Sequence, residues 1–347
     1  MASEKTTQAC PYFYGKASNG SWLIPREPIE NVKWRIRCRE RALVDKRFQD
    51  ALWQMCMDDV LAFMAFACWG YDPRARIKVT PFVPMEHQAS VFIAMDEAIE
   101  RAERDEISVD VVVDKARAQG GTFGYLWVDL RRWLRDPMFS AGYVTRNEDL
   151  VDSKTDSNTV MWKVGWAMAL LPVWMQPQYE RHLGQHSFMN KENGALLRGY
   201  SAGQDVAAGG RATVFTCDEF GARDFVTGGK DASVMESLHD VTNCIRLVSA
   251  RYVDQGVFHE ACENPDTSQN GVHLVLDWKD HPVHGKHSYV VHDGKLVAVK
   301  PEDQEAVDKY NAENPKVRTS LERKGFKYDG RVRSPWYDMR CLRPTST

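Results

Sequence analysis

Apolar residues recur at roughly helical spacing from about residue 31 to residue 75. The positions from Leu43 to Phe66 show this spacing most clearly, and they predict helices. The first 30 residues are polar and interrupted by proline and glycine, which is typical of an extended arm. Tyr71-Asp-Pro-Arg74 ends the helical region, because proline disfavours helix in the residue before it.

From about residue 75 to residue 290 the pattern alternates between strand and helix. Helices are predicted over Gln88–Arg104, Phe123–Leu134 and Trp162–Leu171. Strands are predicted over Ile107–Val113, Met138–Thr145, Ala212–Cys217, Cys244–Val248 and Val272–Leu276. Short apolar strands that alternate with helices imply an α/β protein whose parallel sheet is covered on both faces.

The C-terminal residues follow a different pattern. Two short apolar stretches, His287–Val291 and Lys295–Val299, flank an Asp-Gly pair, which predicts a β-hairpin with a tight turn. Residues 302–325 are predicted to be helical, with a break at Asn314-Pro315.

Composition narrows the class of protein. Hydrophobic residues make up 43% of the 347 residues and charged residues 27%, as in ordinary globular proteins. The net charge of -3 argues against a uniformly basic nucleic-acid coat but leaves room for local basic patches. The cysteines are scattered without a C-x-x-C pair, which favours free thiols in a reducing compartment. The N-terminus does not resemble a signal peptide, and the longest apolar runs are shorter than the ~18 residues of a membrane span.

A glycine-containing loop follows the predicted strand Ile107–Val113. A standard phosphate-binding loop reads G-x-x-x-x-G-K-[ST] between strand and helix. Aligned on its last positions, this loop keeps Gly120 and Thr122, has Gly121 in the lysine position, and has Lys115 in the position of the first glycine. Lys115 could reach the β- and γ-phosphates from the opposite side, and Thr122 could ligate Mg²⁺. The alternative is a flexible turn that binds nothing.

The predicted strand Ala212–Cys217 ends in two adjacent carboxylates, Asp218 and Glu219. Successive residues of a strand point in different directions. Asp218 can therefore hold the water shell of Mg²⁺ while Glu219 orients and deprotonates an attacking water, as in a Walker B strand with a catalytic glutamate. The alternative is an exposed acidic turn.

The number of residues between the two motifs indicates which class of nucleotide hydrolase the chain belongs to. Thr122 and Asp218 are 96 residues apart, which leaves room for an inserted strand and helix. This favours the ATPase class that has an additional strand between the two motifs and uses a glutamate as base. GTPase-like proteins place the two strands side by side.

With these motifs, most of residues 31–347 resembles the ATPase half of the large terminase subunit of tailed bacteriophages. That family often has a deviant phosphate loop whose lysine stands at its start, as Lys115 does here. The family's loop arginine corresponds to Arg117, a candidate cis arginine finger. An upstream glutamine that reads adenine corresponds to Gln88.

The same resemblance extends downstream of the phosphate loop. The coupling motif that senses the γ-phosphate corresponds to Ser249 and Ala250, and Arg146, after the inserted strand, is the candidate finger in trans. Further stretches that match the family are Asp149–Asp152, Leu171–Trp174, Asn190–Gly194, Gly199–Ser201 and Gly209–Ala212.

The resemblance implies a RecA-like P-loop ATPase of the additional-strand, catalytic-glutamate class, with a parallel central sheet and a small helical lid subdomain. The expected parts are residues 1–75 (arm and helices of the lid), 76–300 (ATPase core) and 301–347 (lid segment and start of a linker). Ser334–Asp338 resembles the segment just before the family's nuclease half, so we expect no nuclease activity in this portion.

The implied function is an ATP-hydrolysing motor that packages double-stranded DNA into a prohead. ATP and Mg²⁺ are the expected cofactors. The expected partners are DNA, the portal protein, the small terminase subunit and further copies in a ring, in the host cytoplasm and away from membranes. The alternatives are another DNA-dependent motor, such as a helicase, or a non-catalytic DNA- or portal-binding scaffold. The missing lysine at position 121 favours the scaffold.

Two other patterns have both an ordinary and a functional interpretation. His281, His284 and His287 have spacing that could suit a metal, although proline and glycine between them favour a surface loop. Residues 33–47 and 316–333 are rich in lysine and arginine, which is typical of solvated helix faces but could also serve DNA or portal contact.

Overall fold

A computed structural model describes residues 23–202, 210–227, 229–264, 270–325 and 330–342. The predicted arm up to residue 22, Gly209 of the stretch that matches the family, and Lys327 of the basic stretch 316–333 lie outside the described residues. The chain divides into two compact units, Met1–Val275 and Leu276–Thr347. The predicted three-part division of the chain stays a prediction.

The first three helices of the first unit begin at capping side chains. Asp45 and Asp59 each accept hydrogen bonds from N–H groups in the first turn of the helix that follows, as N-cap residues do. The helices are α1 (Pro28–Val44), α2 (Lys46–Asp58), α3 (Val60–Ala67), α4 (Glu86–Asp105), α5 (Gly121–Arg135), α6 (Val160–Leu170), α7 (Arg223–Val226), α8 (Lys230–His239) and α9 (Val257–Glu263). The predicted helices are confirmed, with ends shifted by a few residues.

Strands of the first unit form two sheets. They are β1 (Trp69–Tyr71), β2 (Val79–Pro81), β3 (Val109–Lys115), β4 (Ser140–Thr145), β5 (Tyr179–His182), β6 (Ser187–Asn190), β7 (Leu196–Ser201), β8 (Val214–Asp218), β9 (Cys244–Ser249) and β10 (Val272–Leu276). An antiparallel pair, β1 and β2, stands apart. The other eight strands form one sheet in the order β10-β3-β9-β8-β4-β7-β6-β5.

The large sheet is mostly parallel. Strands β3, β9, β8, β4 and β7 run parallel to their neighbours, whereas β6 pairs antiparallel with both β7 and β5. The predicted α/β class with a parallel central sheet is therefore confirmed, and the antiparallel strands β6 and β5 extend the sheet at one edge. Residues 179–201 form a short meander whose strands carry many polar side chains, so that no continuous apolar run marked them.

One predicted feature of the topology needs correction. A strand does separate β3 from β8, but it is β9, which follows β8 in the chain. The residues between Thr122 and Asp218 instead form β4 to β7, which lie on the other side of β8. A strand therefore lies between the strands of the two motifs, as predicted. It is not one of the strands that the chain forms between Thr122 and Asp218.

Helices cover both faces of the central strands. Arg246 of β9 is fully buried, and it donates hydrogen bonds to Asp129 of α5 (2.8 Å) and to the Met95 carbonyl of α4 (3.2 Å). Side chains alternate along a strand, so Ile245 and Leu247 point to the opposite face. There they join a buried apolar cluster that includes residues of α8 and α9. The predicted two-sided covering is confirmed.

The second unit contains a hairpin and three helices. These are β11 (Tyr289–His292), β12 (Lys295–Ala298), α10 (Gln304–Glu313), α11 (Pro315–Arg323) and α12 (Pro335–Leu342). Asp293 and Gly294 form the turn with φ of 47° and 78°, the left-handed values that a type I′ turn requires. The predicted hairpin and the predicted helix break before Pro315 are confirmed.

None of the helices in the described ranges combines the length and the apolarity of a membrane span. The cysteines within those ranges are free thiols, and most of them are buried.

Candidate functional site

A cavity of about 840 Å³ opens at the edge of the sheet where the parallel strands end. The carboxyl ends of parallel strands share one edge of a sheet, so residues after β3, β4, β8 and β9 come together there. Five of the predicted site residues line this cavity: Arg117, Thr122, Arg146, Asp218 and Glu219.

Lys115 is the last residue of β3, and its side chain is only 8% exposed. Its Nζ donates a hydrogen bond to Oε1 of Glu219 at 2.8 Å. Burial alone would lower the pKa of Lys115, but the charges of Asp218 and Glu219 outweigh it and raise the pKa above its ordinary value. Lys115 is therefore a buried, charged amine held at the acidic pair.

Gly121 occupies the usual lysine position of the phosphate loop, and a side chain would not fit there. A Cβ added there would stand 2.7 Å from Cδ and 3.3 Å from Cε of Lys115. The stem of Lys115 thus runs through the space that a side chain at position 121 would need. Gly120, one residue earlier, has φ of 69° and is the N-cap of α5, a left-handed conformation that favours glycine.

Two non-glycine residues of the site also have left-handed backbones. Ala118, in the phosphate loop, has φ of 63°, and Glu219, directly after β8, has φ of 57°. Such conformations cost free energy outside glycine and persist where the surrounding structure holds them, often at functional sites.

Thr122 and Asp218 provide the oxygen atoms that a divalent cation would need. Oγ1 of Thr122 donates a hydrogen bond to Oδ2 of Asp218 at 3.0 Å. Oδ1 of Asp218 is buried, and the described residues offer it no hydrogen bond of normal geometry. Burial raises the pKa of Asp218, and the charge of Lys115 only partly offsets this. A hydroxyl hydrogen-bonded to a buried carboxylate fits Mg²⁺, which prefers oxygen ligands.

The carboxylate of Glu219 accepts a hydrogen bond on each oxygen. Lys115 donates to Oε1, and the hydroxyl of Tyr252 donates to Oε2. Burial would raise the pKa of Glu219, but the charge and hydrogen bond of Lys115, followed by the hydrogen bond of Tyr252, lower it overall. The adjacent carboxylates of Asp218 and Glu219 therefore have pKa values shifted in opposite directions, as at sites where two acids take different roles.

Tyr252 lies three residues after the end of β9 and lines the cavity. Besides its hydrogen bond to Glu219, its ring lies 5.0 Å from the guanidinium carbon of Arg117. Tyr252 was not among the site residues predicted from the sequence. The signal that was available is its place just beyond Ser249 and Ala250, at the end of a strand next to β8.

Lys163 is a second missed residue. It lines the cavity from α6, and its Nζ donates to the carbonyls of Asn158 (2.7 Å) and Thr159 (3.3 Å). Burial lowers its pKa, and the charges of Asp218 and Asp156 act in the opposite direction. Lys163 is the single charged residue of an otherwise apolar helix, which was the signal in the sequence.

Gln88 lies behind the phosphate loop, where it is 3% exposed. Its Nε2 donates to the Gln119 carbonyl at 2.8 Å, and its Oε1 accepts from the Met85 N–H at 2.9 Å. Both ends of the amide are thus used within the protein, and they brace the loop. An adenine contact would require these hydrogen bonds to be exchanged, and it stays a prediction.

Ser249 is fully buried, and neither Ser249 nor Ala250 lines the cavity. The Ser249 hydroxyl accepts from the Gly221 N–H and donates to the Ala250 carbonyl, both at 2.9 Å. Gly221 follows Glu219 by two residues, so this serine connects the end of β9 to the turn that carries the acidic pair. Direct contact of Ser249 or Ala250 with nucleotide stays a prediction.

Arg146 follows β4 at the rim of the cavity of its own chain, where it pairs with Asp224 at 3.4 Å. Both side chains are exposed, so the pair is weak and exchangeable. The predicted role of Arg146 in trans stays a prediction.

The histidines of the second unit are used locally. The rings of His281 and His284 stack at 3.8 Å, and Nδ1 of His281 accepts the N–H groups of Val283 and His284. In the described ranges, these histidines do not belong to a cluster of three potential metal ligands.

A scan against protein-family models finds no match, and neither does a search of curated proteins. Among solved structures, the HK97 bacteriophage large terminase is similar with a TM-score of 0.43 and 14% identity, over 63% of this chain and 43% of that one. Two structures of the Thermus phage P74-26 large terminase ATPase domain, one of them a variant, have TM-scores of 0.37 and 13% identity. They cover 53% and 51% of this chain and 81% and 79% of theirs. At these values the likeness does not bear on the roles of individual residues.

Proposed function

We propose that this chain is a Mg²⁺-dependent ATPase and the motor portion of a phage large terminase. The observation that carries the proposal is the convergence of Lys115 with the Asp218–Glu219 pair, in a cavity that Thr122 also lines. The space left by Gly121 for the stem of Lys115 supports it further, because a decayed loop would not need to keep that space.

Phosphate binding falls to Lys115, Arg117 and the start of α5. The N–H groups of the first turn of a helix are free to bind anions, and the helix dipole favours negative charge there. Gly120 supplies the left-handed N-cap of α5, and Gly121 leaves room for the stem of Lys115 beside it. The amine of Lys115 and the guanidinium of Arg117 would add two positive charges. Lys163 would add a third from the opposite wall of the cavity.

Thr122 and Asp218 would hold Mg²⁺, directly or through its water shell. Bound Mg²⁺ would neutralise charge on the β- and γ-phosphates during transfer. The shared hydrogen bond fixes the two side chains relative to each other before any cation arrives.

Glu219 would orient the attacking water and accept its proton. In the present arrangement it accepts from Lys115, and this contact lowers its pKa and weakens it as a base. When phosphate draws the amine of Lys115 away, Glu219 loses that donor and becomes more basic. Nucleotide binding would thereby switch on its own hydrolysis.

Two further roles follow from the placement of residues around the loop. Gln88 would read adenine after exchanging its bonds to the loop. Ser249 and Ala250 would relay the state of the γ-phosphate, because Ser249 joins β9 to the turn after Glu219.

The motor function extends this proposal beyond the site. Double-stranded DNA, a portal protein, a small terminase subunit and a ring of copies would be the partners, in the host cytoplasm, with Arg146 as candidate finger between copies. A helicase would use the same site. The two motors differ in whether the duplex is intact after translocation.

Glu219→Gln tests the ATPase. The variant should bind Mg²⁺–ATP within about threefold of the parent, while turnover falls by ~10² or more, because a positioned general base contributes that much. Glu236→Gln makes the same change at an exposed position of α8 and should leave both quantities unchanged. Unchanged turnover in Glu219→Gln would overturn the assignment. Stimulation by duplex DNA without strand separation would support packaging over a helicase.

A further inference from the structure

Tyr252 touches two residues that the proposed reaction uses in different ways. Its hydroxyl donates to Oε2 of Glu219, and its ring lies 5.0 Å from the guanidinium carbon of Arg117. A phenol is suited to both contacts, since the ring face attracts a cation while the hydroxyl donates a hydrogen bond at the other end. One side chain therefore connects the residue proposed as base with the arginine proposed for phosphate.

Two contacts hold the residues just before Tyr252 in the chain. The preceding residue, Arg251, donates to Asp114 at 2.7 Å, and Asp114 is the neighbour of Lys115 in β3. Ser249, at the end of β9, accepts from the Gly221 N–H in the turn after Glu219. Tyr252 thus reaches the cavity from a short loop anchored to the two strands that carry Lys115 and Glu219.

The two donors to Glu219 differ in what nucleotide would do to them. Lys115 has to leave Glu219 if it is to bind phosphate. Tyr252 carries no charge that phosphate would attract, so its hydrogen bond can persist through the exchange. Of the two contacts, only the one from Tyr252 can keep the carboxylate in a defined orientation once Lys115 has moved.

We propose that Tyr252 is a positioning residue, whose hydroxyl orients Glu219 toward the attacking water while its ring supports Arg117. This inference rests on the proposed ATPase function. It assigns the two halves of one side chain to two steps: the hydroxyl acts through Glu219 on hydrolysis, and the ring acts through Arg117 on nucleotide binding.

The variants Tyr252→Phe and Tyr252→Leu test the hydroxyl and the ring of Tyr252 separately. Tyr252→Phe keeps the ring, so the dissociation constant of Mg²⁺–ATP should change by less than about twofold. Turnover should fall about ten- to a hundredfold, because a hydrogen bond to a charged group is lost. Tyr252→Leu also removes the ring, and should in addition weaken binding about two- to fivefold. Tyr179→Phe is the matched control, since Tyr179 is 40% exposed against 37% for Tyr252 and lies in β5.

A double variant tests whether Tyr252 acts through Glu219. In the Glu219→Gln background, Tyr252→Phe should lower the residual turnover no further, because the carboxylate that it orients is gone. An equal loss in both backgrounds would overturn the inference, and so would a Tyr252→Phe protein with parental turnover. Either result leaves the ATPase assignment standing if Glu219→Gln lowers turnover by ~10² or more. Full turnover in Glu219→Gln would instead reject the proposed function itself.

Discussion

Gly121→Ala should weaken nucleotide binding strongly while leaving the fold nearly intact. The added methyl group would stand 2.7 Å from Cδ and 3.3 Å from Cε of Lys115, so the lysine stem has to move. The third contact, with Val248 at 3.6 Å, is an ordinary van der Waals distance. The substitution therefore acts on one flexible side chain and spares the backbone.

The effect on stability should be small because two terms oppose each other. Displacing Lys115 loses its 2.8 Å hydrogen bond to Glu219, and bonds to charged groups contribute about 1.5–3 kcal/mol. The partial exposure of Glu219 places this loss at the lower end of that range. Replacing glycine by alanine in the first turn of α5 returns up to about 1 kcal/mol. The free energy of unfolding should fall by only ~1 kcal/mol, which shifts Tm by a few degrees.

The effect on nucleotide should be large by comparison. If Lys115 is the phosphate lysine, its displacement removes a charge-assisted contact, and the dissociation constant of Mg²⁺–ATP should rise about ten- to a hundredfold. Calorimetric titration with nucleotide and thermal unfolding measure the two effects on the same sample. Gly184→Ala is the control, because a Cβ there meets nothing within 4 Å. Parental affinity in Gly121→Ala would refute the role assigned to the lysine stem.

Three further predictions concern other contacts. Thr122→Ala should raise the Mg²⁺ concentration needed for half-maximal turnover at least several-fold, whereas Thr122→Ser should not. A Mg²⁺ titration measures this, and equal behaviour of the two variants would exclude Thr122 from the metal site. Lys163→Met should weaken Mg²⁺–ATP binding about tenfold without lowering Tm, because burial already disfavours the charge of Lys163; an unfolded variant would contradict this. Arg246→Met should lower the free energy of unfolding in urea by about 3–5 kcal/mol, since it leaves the fully buried carboxyl group of Asp129 without its charged partner. Further replacement of Asp129 by Leu should recover part of the loss.

The central strands could be predicted because they are buried on both faces. Most positions of β3, β8 and β9 are buried, and each strand has adjacent apolar residues that face opposite sides of the sheet, which marks parallel strands inside it. The meander β5–β7 was missed because its strands are only four to six residues long and include side chains such as Arg181 and His182. The pairing of β7 with β4, and of β6 and β5 beyond it, depends on tertiary contacts that the local sequence pattern does not contain.

Strand order could not be obtained from distances along the chain. The spacing between Thr122 and Asp218 indicated that something lies between the motifs, but it did not say on which side of β8 the intervening strands pack. Strand β9 fills the gap because Arg246 completes a buried pair with Asp129 of α5 on one face while Ile245 joins an apolar cluster on the other. The pair of Arg246 and Asp129 joins residues 117 positions apart in the chain.

The site residues that belong to the two motifs could be placed from the sequence, whereas residues outside any motif could not. Lys115, Asp218 and Glu219 could be placed because parallel strands end at one edge. Tyr252 and Lys163 belong to no motif, and only the fold brings them to the cavity. A similar limit applies to the basic stretches, where Arg35 is buried and donates to the carbonyls of Ala65 and Cys68 instead of facing solvent.

The unusual position of the lysine has a mechanical consequence. Lys115 is the last residue of β3, and its neighbour Asp114 is paired with Ser249 in the register of the sheet. The backbone that delivers the amine is therefore fixed by the same sheet that fixes Asp218 and Glu219. A lysine at position 121 would instead follow the loop. The distance between the amine and the acidic pair is thus set by strand register, and only the lysine stem has to swing for Glu219 to be released.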